Sequence, residues 1–158
     1  MGVKVIFLDY DGVVNIPMWN EDGTRCRYNF PDDNKVNHFQ AVQWISEFCL
    51  KYDYKIVVSS TWRMDKNYKE CLINGGLREG VEILGKTKIL NSTRGHEIDV
   101  YLKEHPEITG YIIIDDCDDF TKEQHDRFVE TRDDVGFMEY DYNKARRIHY
   151  KFNNDVGD

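Results

Sequence analysis

The residues best suited to chemistry in this 158-residue chain fall into three short clusters: Asp9-Tyr10-Asp11-Gly12-Val13, Ser59-Ser60-Thr61-Trp62-Arg63 and Asp115-Asp116-Cys117-Asp118-Asp119. Carboxylates brought close together repel one another unless a cation joins them. An all-oxygen donor set suits a hard divalent ion, and Mg²⁺ usually takes one or two carboxylates, waters and a substrate phosphate. The stretch from Asp116 lacks the central glycine and terminal Glu of a calcium-binding EF-hand loop, which puts Mg²⁺ first. Each cluster also has a plainer explanation. Asp11-Gly12 between valine-rich runs suits a hairpin turn, Ser59 to Thr61 suits a helix N-cap, and an acidic run at Asp115 to Asp119 suits the first turn of a helix. What separates the two readings is whether the elements around the clusters bring all three to one place.

Those elements alternate. Val3 to Leu8 is a nearly continuous apolar run, the pattern of a strand covered on both faces, and Asp9 ends it. Val36, Phe39, Val42, Ile45 and Cys49 recur at helical spacing, and Tyr54 to Val58 is a second apolar strand. Asn67 to Leu77 reads as a helix stopped at Gly75-Gly76, Val81 to Leu84 as a short strand, and Arg94 to His105 as a helix closed by Pro106. Tyr111 to Ile114 is a buried strand running into Asp115. A polar helix, a short strand near Phe128 to Thr131 and a terminal helix from about Tyr140 complete the chain. Strands alternating with helices predict a three-layer α/β/α sandwich on a mostly parallel, Rossmann-like sheet with right-handed crossovers. Ligands of such sheets bind beyond the carboxyl ends of the strands, which is where all three clusters fall.

Composition narrows the rest. The length suits one domain over residues 1–158, and 41% hydrophobic with 13% aromatic residues is enough for a packed core. A net charge of -8 argues against a general grip on nucleic-acid backbones. Cys26, Cys49, Cys71 and Cys117 show no metal-ligand spacing, and no signal peptide or bilayer-length apolar run is present; reduced thiols, a cytoplasmic location and no membrane partner are the expectation.

The order of motifs resembles the haloacid dehalogenase superfamily of phosphohydrolases over nearly the whole chain. Its DxD motif is seen as FLDYDGVV, its strand-ending Ser or Thr as IVVSSTWR, its basic residue as Arg94 in TRGHEI, and its terminal acidic pair as YIIIDDCDD. The combination SSTWR, TRGHEI and IIIDD is similar to the phosphatase modules of RNA-repair proteins. The basic residue is Arg where Lys is commoner, with Lys86 and Lys88 as competitors, and Ser59 competes with Ser60, which aligns better. For Arg94 the plainer alternative is an ion pair with Glu97.

The resemblance implies a Mg²⁺-dependent phosphomonoester hydrolase. Asp9 is then the nucleophile that forms an aspartyl-phosphate, and Asp11 is the general acid and base. Ser60, Thr61 and Arg94 bind phosphate. Mg²⁺ sits on the Asp9 carboxylate, the Asp11 backbone carbonyl and Asp116, with Asp115 in support. Val14 to Lys35 is long enough for a flap but not for a cap domain, so the site is expected to be open. Trp19, Arg25, Arg27, Tyr28, Trp62 and Arg63 would form a stacking and phosphate-binding rim for a nucleotide or nucleic-acid end. Small phosphorylated metabolites and phosphoproteins are the alternative substrates. A receiver-type phosphoacceptor would carry its paired acids on the first strand, and a silent binding module would usually have lost Asp9 or Asp11. Oligomeric state is not fixed by the sequence.

Overall fold

In the computed structural model, residues 2–19, 21–24 and 34–153 are described. The apolar runs form five parallel strands: β1 (Val3–Leu8), β2 (Lys55–Val58), β3 (Ile83–Lys86), β4 (Ile108–Asp115) and β5 (Phe128–Glu130). Their order across the sheet is β3-β2-β1-β4-β5. The chain winds outward from β1 through β2 to β3, then crosses back to lay β4 on the other side of β1. The direction of winding therefore reverses between β1 and β4, and the crevice beyond their carboxyl ends is where such sheets bind ligands. Leu8 is in register with Val58 on one side and Ile114 on the other, so the residues after all three strands emerge side by side.

Helices α1 (Phe39–Tyr52), α2 (Tyr68–Asn74), α3 (Arg94–Glu104) and α4 (Glu139–Asn153) complete the layers. Successive strand side chains point to opposite faces. Ile6, Leu8, Ile56, Val58, Ile112 and Ile114 pack with Ile45 and Phe48 of α1, Leu72 of α2 and Ala145 and Ile148 of α4. Val5, Phe7, Val57 and Ile113 pack with Ile98 and Tyr101 of α3 in a smaller core on the other face. Each fully buried Val, Leu, Ile or Phe contributes roughly 1.5–3 kcal/mol by removal from water, so the two cores fix the sheet and the strand ends with it.

Several boundaries differ from the sequence reading. Val36 is buried ahead of α1, which starts at Phe39 because His38 Nδ1 accepts from Ala41 N–H at the helix start. The third strand lies two residues later than expected, and β4 starts earlier and includes Asp115 itself. The polar helix expected after β4 is absent. Only a 3₁₀ turn, Gln124–Arg127, forms there. The reason is docking: the buried Gln124 side chain donates to Gly95 O and Asp99, and Asp119 is drawn to the start of α3, which holds the segment irregular. No helix among the described residues is long and apolar enough to cross a membrane.

Candidate active site

Strand alternation decides which strand-end residues can meet. Continuing the α3 face of β1 past Val5 and Phe7 gives Asp9; continuing Val57 on β2 gives Ser59; continuing Ile113 on β4 gives Asp115. The backbone ladder carries on through these residues, with Asp9 N–H donating to Ile114 O (3.0 Å) and Ser59 N–H to Leu8 O (2.8 Å). Three polar residues thus stand where the thin core would otherwise continue, all of them buried.

Arg94 closes the group. Thr93 Oγ1 caps α3 by accepting from His96 N–H, and Arg94 N–H donates to Asp119 Oδ2 at 2.9 Å. A Cβ on Gly95 would lie 2.4 Å from Oε1 of the buried Gln124 and 3.2 Å from the backbone of Asp119 and Phe120, so glycine lets the helix dock without displacing them. This docking aims the first side chain of α3 inward. Arg94 Nη1 lies 3.0 Å from Asp9 Oδ1 and 2.9 Å from Asp115 Oδ2, and donates to Ser59 O at 2.7 Å. Burial raises Asp9 to about 6; Arg94 opposes the rise, while the nearby Asp116 adds to it. Burial, and then the charge of Asp9, pushes Asp115 up to about 9 against the pull of Arg94. One guanidinium does not neutralise the acids gathered around it.

Asp11 is held separately. Tyr10 O accepts the N–H groups of Val13, Val14 and Asn15, making a tight turn in which Gly12 takes φ +83°. Asp11-Gly12 thus forms a turn but not the hairpin of the plainer explanation, since β1 pairs in parallel with both of its neighbours. Asp11 Oδ1 accepts from Asn15 Nδ2 and from Trp62 Nε1, both at 3.0 Å. Burial raises its pKa, and these hydrogen bonds work against the rise. Asn15 and Trp62 carry no sequence signal for this role, since Trp62 reaches Asp11 only through the fold.

The donor set fits a hard cation. A Cβ on Gly12 would lie 2.3 Å from Asp116 Oδ2, so the bare glycine is what lets the Asp116 carboxylate lean over the turn toward Asp9. Asp115, Asp116 and Cys117 bring potential ligand atoms within 4.8 Å of one another. Burial pushes the Cys117 thiol up to about 11, leaving it protonated and the carboxylates as the donors.

Other expected residues fall elsewhere. Ser60 points to the opposite face, where its Oγ accepts from Trp62 N–H at the start of the 3₁₀ turn Thr61–Met64. Ser59 Oγ is buried without a hydrogen-bond partner on the Asp9 face. Ser59 therefore corrects Ser60 as the hydroxyl facing the acids. Thr61 is exposed at the head of the turn. Arg63 is not on a rim: it is buried, pairs with Glu97 at 2.9 Å and donates to Ser60 O. Trp62 is likewise buried, stacked edge-on against Tyr10. Glu97 is thus Arg63's partner rather than Arg94's. Lys86 donates to Arg63 O and lies over the Tyr68 ring, while Lys88 pairs with Glu104, so neither reaches Asp9. Trp19 is 63% exposed. Arg25, Arg27, Tyr28 and much of the flap expected over 14–35 lie outside the described residues.

Searches of curated proteins and of solved structures gave no match. The family model for the HAD domain in Swiss Army Knife RNA repair proteins matches residues 5–142, a span running from β1 into α4 and containing every residue of the strand-end cluster. The chain belongs to that family of haloacid dehalogenase-type domains.

Proposed function

We propose that the protein is a Mg²⁺-dependent phosphatase that hydrolyses phosphomonoesters of nucleotides or nucleic-acid ends through an aspartyl-phosphate on Asp9. Membership of a HAD family from RNA-repair proteins points to a phosphatase-type function. The observation that carries the fuller reading is the convergence on one sheet face of Asp9, Asp115, Arg94 and the unpartnered Ser59 hydroxyl, with Asp11 held beside them by a different set of bonds.

The groups divide the work. An Asp9 carboxylate oxygen attacks phosphorus and the bond to the leaving oxygen breaks, while Asp11 gives that oxygen its proton. Asp11, now a carboxylate, takes a proton from water; the water oxygen bonds to phosphorus and the Asp9–phosphorus bond breaks, releasing phosphate and restoring Asp9. Arg94 offers fixed positive charge and planar donors to the phosphoryl oxygens, and Ser59 offers a hydroxyl. Asp9, Asp116 and the Asp11 carbonyl would hold Mg²⁺ with Asp115 in support, and the ion supplies Lewis-acid stabilisation of charge on the phosphoryl group. Free, buried Cys49 and Cys71 suit a reducing, cytoplasmic setting.

The test is a Mg²⁺-dependent phosphate-release screen over nucleotides, 3'- and 5'-phosphorylated oligonucleotides and sugar phosphates. Nucleotides or oligonucleotide ends should lead. Release from no substrate would sink the hydrolase reading, and a lead for sugar phosphates would sink the substrate assignment. Asp11→Asn should slow alcohol leaving groups far more than nitrophenolate, which needs no proton; equal losses would remove Asp11 from the acid role.

A further inference from the structure

Beyond the carboxyl ends of β2 and β3, next to Ser59, lies an open cleft of about 460 Å³ between the 3₁₀ turn Thr61–Met64 and the loop leading to α3. That volume is in the range of small-ligand sites, roughly 300–1,000 Å³. Its surface is of two kinds. Met64, Ile89 and Leu90 present apolar side chains to solvent, Met64 being 74% exposed. Lys88 brings an ammonium group, and Lys86, whose ammonium donates to Arg63 O and lies over the Tyr68 ring, adds its charge beside it.

Two buried polar atoms in the cleft wall have no hydrogen-bond partner. Thr87 Oγ1 is one, on a residue whose N–H donates to Val58 O and so extends the β2–β3 ladder to the level of Ser59. Arg63 Nε is the other, on a guanidinium whose two remaining nitrogens are committed to Ser60 O and Glu97. Both atoms lie beneath the surface, so they make the wall polar without themselves reaching a ligand in the cleft.

Charge gives the site a direction. On the other flank the strand ends carry Asp118, Asp119, Asp133 and Asp134, and Arg132 there lies 3.7 Å from Asp134. A polyanion whose terminal phosphate sits at Asp9 is repelled from that flank and attracted to Lys86 and Lys88. The surface pair Lys88–Glu104 is largely solvated, and such pairs contribute little, so Lys88 is available to exchange its carboxylate for a phosphodiester.

We infer that this cleft is the leaving-group subsite of a short single-stranded oligonucleotide. The adjacent phosphodiester lies against Lys86 and Lys88, and a nucleoside face lies on Met64, Ile89 and Leu90. The inference rests on the phosphatase reading for the position of the terminal phosphate, while the cleft itself is tested by binding.

The probe is a fluorescein-labelled tetranucleotide RNA phosphorylated at the end opposite the label, prepared in 3'- and 5'-phosphate forms. Its anisotropy is titrated with Asp9→Asn protein in Mg²⁺, a background chosen to stop turnover. Adding Lys88→Glu or Ile89→Asp should weaken binding by about tenfold, whereas Asp134→Lys on the opposite flank should leave it unchanged or tighten it. In the parent background, Lys88→Glu should lower kcat/KM for the oligonucleotide about tenfold relative to that for nitrophenyl phosphate. Unchanged binding in Lys88→Glu and Ile89→Asp overturns the subsite. So does a phosphopeptide of equal charge competing as well as the RNA, since the cleft would then read charge alone. If the parent releases phosphate from nothing yet Lys88→Glu still weakens RNA binding, the hydrolase reading falls and the subsite stands. If nitrophenyl phosphate is cleaved and Lys88→Glu changes nothing for RNA, the subsite falls alone.

Discussion

Two buried ionic groups start from the same turn of α3 and are built in opposite ways. Glu97 and Arg63 are both at most 5% exposed and form a balanced pair: one oxygen of Glu97 accepts from Arg63 Nη2 and the other from Leu90 N–H, while Arg63 Nη1 donates to Ser60 O. Arg94, three residues earlier, faces two carboxylates at once with Asp116 close behind, and Asp9 and Asp115 are pushed up in pKa. The balanced pair ties the 3₁₀ turn after β2 to α3 and so steadies the backbone that carries both Ser59 and Arg94. The unbalanced group holds more negative charge than its one guanidinium offsets. Proteins retain that kind of electrostatic tension where the missing charge arrives with a ligand.

The largest effect expected is on the unbalanced side. Asp9→Asn should cut Mg²⁺-dependent phosphate release by roughly 10⁴ or more, because the nucleophile is gone. Its melting temperature should not drop, since one of the crowded charges has been removed. Activity within tenfold of the parent would break the assignment of Asp9. On the balanced side the expectation is reversed. Glu97→Ala strands a buried guanidinium and should cost about 3–5 kcal/mol in a denaturant titration, whereas Arg63→Met combined with Glu97→Leu should recover most of it. If the double variant is no better than the single one, the pair is more than a balanced tie.

A third test uses pH. The folded-state pKa of Asp9, about 6, lies above its unfolded value near 3.8, so the folded protein binds this proton more tightly than the unfolded chain does. The Asp9 share of metal-free stability, on the order of 2–3 kcal/mol, should therefore be lost as pH rises from about 4 to about 6, while Asp115, pushed up to about 9, carries the fall on beyond pH 6; Asp9→Asn should make the decline between 4 and 6 shallower. Thermal melts across this range decide it; stability rising with pH there would contradict the crowding. The smallest effect is expected at Trp62→Phe, which removes the indole N–H from Asp11 and keeps most of the buried ring. Losing a donor to the carboxylate raises the pKa of Asp11, so the pH–rate profile for an alcohol leaving group should move upward with less than about a tenfold change in maximal rate. An unmoved profile would show that the bond does not tune Asp11.

How much of this was legible beforehand follows the range of the interactions. The apolar runs Val3 to Leu8, Tyr54 to Val58 and Tyr111 to Ile114 are local patterns, and the strand-end positions of Asp9, Ser59 and Asp115 follow from them. The helix expected after β4 failed because Gln124 and Asp119 find partners on α3, some twenty-five residues away in the chain. Arg63 and Trp62 read as rim residues because a charged and an aromatic side chain in a polar segment look exposed. Their partners, Glu97 and Asp11, lie on other elements.

The sequence by itself determined the alternating α/β order and the delivery of three polar clusters to one edge, since periodicity and chain order are local properties. The tertiary structure alone decided which members of those clusters work together. The pleat turns Ser59 toward Asp9 and Ser60 away, and Gly95 lets α3 dock closely enough for Arg94 to enter between two carboxylates. Gly12 leaves room for Asp116. Each of these outcomes depends on which face a side chain takes and what stands opposite it, and that is fixed only when strands distant in the chain come into register.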